Sequence, residues 1–123
     1  MYQKKMKSDR GNTYYVFDNK DPANPEDNEI LINEIADSEG DEKKELSWKL
    51  AENNFNLVYH ILHKKFTRHI HDKEYIVSDG MLGLYKACYR IKKDTKNAMF
   101  VFYACQYIYG YIMQGLKERN RIV

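Results

Sequence analysis

Met99-Phe100-Val101-Phe102-Tyr103 opens the stretch whose reading decides the fold. Taken alone, these five residues are β-prone, because β-branched and aromatic side chains suit a pleated surface. Read on to Asn120, the stretch is too long for a strand. It also carries the good helix formers Ala104, Gln106, Met113, Gln114, Leu116 and Lys117. The segment therefore reads as a helix from about Ala98 to Asn120. In it Tyr103, Tyr107 and Tyr111, four residues apart, share one face.

Upstream, helical spacing continues. Ile76, Val77, Leu84, Ala87, Cys88 and Ile91 form the inner stripe of a predicted helix over about Lys73 to Ile91. Gly80 and Gly83 interrupt it at about 1 kcal/mol each against Ala, which points to close approach of another backbone or of a partner. Leu46, Leu50, Phe55, Leu57, Val58, Ile61, Leu62 and Phe66 predict one long helix from about Glu42 to Thr67. Asn24-Pro25-Glu26-Asp27 is a helix start, with an Asn cap, Pro in the first turn and acids at the positive end of the dipole. Ile30, Leu31, Ile32 and Ile35 give that helix its apolar face, and Ser38-Glu39-Gly40 ends it. Lys92 to Asn97 is a polar turn in which Asn97 is the candidate for the left-handed conformation. The expected fold is all-α, with three long helices and a shorter one before them.

The 123 residues suit one domain with an arm. Residues 1–40 hold five Lys and Arg against nine Asp and Glu, a net −4; residues 41–123 carry +6. The division expected is an acidic arm over 1–40, with Tyr14-Tyr15-Val16-Phe17 as a docking cluster, and a basic helical domain over 41–123. A basic body fits a polyanion partner, and equally fits pairing with its own arm. No apolar run reaches the length of a spanning helix and no apolar block follows the basic start, so a cytoplasmic chain is expected, with no membrane partner. Cys88 and Cys105 read as reduced core residues.

Signatures of catalysis are not found: there is no phosphate loop, nucleophile elbow or His-Glu-x-x-His pair. The expectation is a non-enzyme without cofactors. His60, His63, His69 and His71 cluster, and read as a polar helix end in preference to a metal site. The aromatic segment carries more. One stripe suffices for a core, so rings on several faces leave some exposed. Exposed rings followed by Lys117, Arg119 and Arg121 suit single-stranded nucleic acid, where each stacked base contributes about 1–3 kcal/mol. A tyrosine-rich core edge or a homodimer face satisfies the same spacing.

Three stretches in order carry a family resemblance. They are Leu50-Ala-Glu-Asn-Asn-Phe-Asn-Leu-Val58, Ile76-Val-Ser-Asp-Gly-Met-Leu-Gly-Leu-Tyr-Lys-Ala87 and Phe100-Val-Phe-Tyr-Ala104. From Leu50 to Val123 the chain resembles region 2 of the bacterial sigma-70 family, the promoter-opening subunits of RNA polymerase. The match has one extra residue in the turn before Phe100. It implies a sigma region 2-like helical bundle that binds polymerase core through the coiled coil of the β′ subunit. The positions for that contact fall on Ser78, Asp79, Met81 and Tyr85, with Asp79 as the acid for a partner Arg. The last helix, by the same resemblance, binds the non-template strand of a −10-type promoter element. Its DNA positions are Phe100, Tyr103, Gln106, Tyr107, Gly110, Met113 and Lys117.

Departures from the family pattern are specific. Ser78 replaces Gln, and Met81 a polar residue. Gln106 and Tyr107 stand at a Trp pair, Gly110 and Met113 at polar positions, Tyr109 and Gln114 at basic ones. The sequence given ends just after region 2, so a −35 reader is expected from a second, sigma-like protein. A decoy that occupies the polymerase site without opening DNA is the competing expectation.

Overall fold

The computed structural model describes residues 3–7, 13–17, 23–67 and 73–120. Among them are β1 (Gln3–Lys7), β2 (Thr13–Phe17), α1 (Pro25–Ala36), α2 (Gly40–Asn53), α3 (Asn56–Lys65), α4 (Lys73–Tyr89) and α5 (Asn97–Asn120). Among the described residues the body is all-helical, with five helices where four were expected. The turn-rich beginning holds an antiparallel pair that was not expected: Gln3 lies opposite Phe17, Lys5 opposite Tyr15 and Lys7 opposite Thr13. Thr13 to Phe17 is a β-branched and aromatic run, which is what strand pairing favours.

α1 begins as its sequence dictates. Asn24 caps it by accepting from the Glu26 amide at 2.8 Å, and Pro25 opens the first turn. Its Leu31, Ile32 and Ile35 are buried in the same cluster as the rest of the body. A division at residue 40 therefore cuts through one core, and α1 belongs with the helical domain.

The expected single helix from Glu42 to Thr67 is two helices. At Asn54 and Phe55 the backbone amides bond three residues back, to Ala51 and Glu52, instead of four. The cause is a buried side chain. Asn54 Nδ2 donates to the Leu50 carbonyl and to Asn28 Oδ1 of α1, both at 2.9 Å. Asn28 Nδ2 donates to Asn54 Oδ1 at 3.1 Å and to Asn97 Oδ1 at 2.8 Å. Buried amides are tolerated only when so paired. The three asparagines tie α1, the α2–α3 junction and the start of α5 together.

α4 and α5 form the central hairpin. α5 buries Phe100, Ala104, Ile108, Ile112 and Leu116, a stripe at four-residue steps. A Cβ at Gly80 would meet the Val58 side chain at 2.8 Å; one at Gly83 would meet the Tyr107 carbonyl oxygen at 2.6 Å. The two glycines thus serve contact inside the chain, α4 against α3 and α5. In the α4–α5 turn the left-handed residue is Asp94 (φ 62°) and Asn97 is helical, which corrects the expected turn. Asp94 is held there by its amide, which donates to Asn33 Oδ1 at 2.8 Å. Both cysteines are free; Cys88 is buried in the core and Cys105 is half-buried against it.

Candidate functional site

Two surfaces flank the α4–α5 hairpin, one on each helix. On α4, Ser78 is exposed, Met81 is half-buried against the core, and Tyr85 stacks on Trp48 of α2 with ring centroids 4.4 Å apart. Tyr85 is followed by Tyr89 at 6.1 Å, and Lys43 Nζ sits 4.6 Å over the Tyr89 ring. Leu82 and Tyr75 are exposed on the same side. The result is a band of aromatic and aliphatic side chains from two helices. Trp48, Leu82 and Tyr89 were missed by the sequence reading. Tyr89 follows Tyr85 at four, a signal that the spacing did contain; Trp48 arrives from another helix.

Asp79 departs from the expected free acid. It turns toward α5, where Arg119 Nη1 donates to its Oδ2 at 2.9 Å. Both side chains are less than a third exposed (27% and 29%), so water only partly screens the pair. Gly115 leaves the space: a Cβ there would fall on the Asp79 carboxylate. Arg119 also lies over the Tyr75 ring at 5.1 Å, while its Nε and Nη2 are buried and find no acceptor among the described residues. Any partner Arg for Asp79 must compete with one already in place.

On α5, Tyr103, Gln106, Gly110, Met113 and Lys117 follow steps of three and four along the side away from the core stripe, with Tyr107 at its edge. Phe100 does not join them. It is fully buried (0% exposed), so it has no ring face to offer a base and serves the core instead. Tyr103 Oη donates to Tyr107 Oη at 3.1 Å, and Arg90 Nη1 donates to Tyr107 Oη at 3.2 Å. Burial, helped by its donation to Tyr107, pushes the Tyr103 hydroxyl up to about 12. Tyr107, which accepts from Tyr103 and from Arg90, is lowered from the ordinary tyrosine value.

Beside Tyr103 a cleft of about 190 Å³ opens at the α4–α5 turn, lined by Arg90, Ile91, Lys92, Thr95, Met99 and Tyr103. It combines a tyrosine ring, the apolar side chains of Ile91 and Met99, and two cations. That set can hold a flat apolar group with an anionic attachment. Among the described residues no group of His, Cys, Asp and Glu is placed to hold a metal ion. His60 and His63 are exposed, and His69 and His71 lie outside the described residues. Among the described residues, too, no helix is long and apolar enough to cross a membrane. No family model, curated protein or solved structure matches this chain.

Proposed function

We propose that the protein is a sigma-like transcription initiation subunit. The α4 band binds the β′ coiled coil of RNA polymerase core, and α5 helps recognise or melt a −10-type promoter element. What supports the reading is one relationship: Tyr103 walls a cation-lined cleft on the side of the hairpin that also carries Gln106, Gly110 and Lys117. A flipped base would stack on Tyr103 with its phosphate near Arg90 and Lys92. Opening a base costs a few kcal/mol, which stacking at about 1–3 kcal/mol per ring partly offsets. With Phe100 buried and Gln106 without a ring, the offset is small, so a second protein supplying −35 recognition is part of the proposal.

A second reading is favoured by one observation. No charged residue lies between Lys96 and Lys117, so the middle of α5 offers phosphates no cation. A decoy that binds polymerase and leaves DNA closed would look the same. Run-off transcription with purified polymerase core separates the two. Transcripts starting at defined sites support the initiation subunit; inhibition of an added sigma with no new starts supports the decoy. Failure of core polymerase to retain the protein would overturn both.

A further inference from the structure

The net −4 of residues 1–40 conceals two opposite parts. Residues 1–17 hold four cations, Lys4, Lys5, Lys7 and Arg10, against Asp9 alone; residues 18–40 hold Lys20 against eight acids. The basic part is the part that pairs as strands. Three of the five residues of β1 are Lys, and β2 carries no charge. The register sets Lys4 opposite Val16, Lys5 opposite Tyr15 and Lys7 opposite Thr13. No lysine of the ribbon therefore has an acid as its cross-strand partner, although opposite charges placed so would stabilise the pair. Positions two apart along a strand share a face. Lys5, Lys7, Tyr15 and Phe17 fall on one face of the ribbon, and Lys4, Met6, Tyr14 and Val16 on the other.

We propose that the β1–β2 ribbon is a binding site for single-stranded nucleic acid, its lysines serving phosphates and its tyrosines and Phe17 serving bases. The three lysines stand within four consecutive positions and repel one another. A polyanion relieves that repulsion and releases its own counterions. The rings decide among polyanions. Neighbouring strands lie about 5 Å apart, so each face sets a ring position beside a lysine position. That combination lets a base stack while its phosphate is neutralised. An acidic protein surface would use the lysines and leave the rings idle. A membrane surface requires cations on one side and apolar groups on the other, and here both faces mix the two. A duplex keeps its bases stacked on one another, away from the rings.

The ribbon shares no residue with the cleft beside Tyr103. It supplies the cations that the middle of α5 lacks between Lys96 and Lys117. The site stands whether or not the chain binds polymerase, because it rests on the charge and register of residues 3–17 alone.

Fluorescence anisotropy tests it on the full chain carrying Tyr103→Ala, so that the cleft does not contribute. The probes are a single strand of mixed sequence, its duplex, and heparin as a polyanion without bases. The single strand should bind more tightly than the duplex. Lys5→Gln and Lys7→Gln should each lower the slope of log affinity against log salt by about 0.7, while Lys5→Arg and Lys7→Arg keep it. Tyr15→Ala should weaken the single strand at least about fivefold, the worth of one stacked base, and leave heparin binding unchanged. If Tyr15→Ala loses heparin as well, Tyr15→Leu, which keeps an apolar strand residue without a ring, takes its place. Lysines that merely keep strand edges from pairing with other chains would be served as well by acids. In that case Lys5→Glu with Lys7→Glu would leave binding as it was, and the proposal would fall. It would fall too if the Tyr103→Ala chain bound no single strand, if the duplex bound equally well, or if losing the rings at Tyr15 and Phe17 changed nothing.

Discussion

Arg119 Nη1 and Asp79 Oδ2 meet at 2.9 Å across the α4–α5 hairpin, forty residues apart in sequence, in space that Gly115 keeps open. Arg119→Leu should cost about 1 kcal/mol of stability in urea, as expected for a partly screened pair. Gly115→Ala gains about 1 kcal/mol of helix propensity but displaces the carboxylate, so its net effect is near zero. Arg119→Leu should then cost nothing more in the Gly115→Ala background. Under the polymerase reading, Arg119→Leu frees Asp79 and strengthens retention on core, while Asp79→Lys weakens it. Equal losses from both would assign the pair to the fold alone.

Phe100 and Tyr103 start the same helix and have opposite fates. Phe100 is fully buried, so Phe100→Ala should cost roughly 3–5 kcal/mol. Every activity should fall with it. Tyr103→Ala removes a half-buried ring at the rim of the cleft. It should lower binding to melted −10 DNA while leaving polymerase retention and most of the stability intact. Thermal melting beside a fluorescence-anisotropy titration with single-stranded DNA checks both. A collapse of the fold in the Tyr103 variant would remove the distinction.

The helical period was legible wherever one stripe faces the core, as at Phe100, Ala104, Ile108, Ile112 and Leu116. Local signals also placed the α1 cap at Asn24. The missed features depend on partners distant in sequence. The α2–α3 break follows from Asn54 meeting Asn28, twenty-six residues earlier. The site at Asp79 was read as a free acid because nothing near it in sequence announces Arg119. Phe100 was assigned to DNA by its place in a motif, while its burial is set by helix rotation against the core.

The tyrosine pair gives a pH dependence with a definite sign. Tyr103 ionises near 10.0 when unfolded and at about 12 when folded. Between those values the folded chain holds the proton and the unfolded chain has lost it. Stability from Tyr103 is therefore intact below pH 10 and is lost as pH rises toward about 12. Tyr107 moves the other way, since its ionised form accepts from Tyr103 and Arg90. Urea midpoints measured over this range should fall less steeply for Tyr103→Phe than for the parent. Identical slopes would show that the Tyr103 proton is not retained by the fold.

Trp48 is the chain's single tryptophan and stacks on Tyr85 at 4.4 Å while remaining 41% exposed. It therefore reports on the α4 band without a label elsewhere. Fluorinated tryptophan incorporated at this position should shift its ¹⁹F resonance on adding unlabelled polymerase core, because docking would exclude water from one ring edge. Tyr85→Ala removes the ring against which Trp48 is held. It should move the free-protein resonance toward the solvent-exposed value and weaken core binding at least about tenfold if the band is a central anchor. A core-bound complex whose Trp48 resonance is unchanged would place the polymerase contact somewhere other than this face of α4.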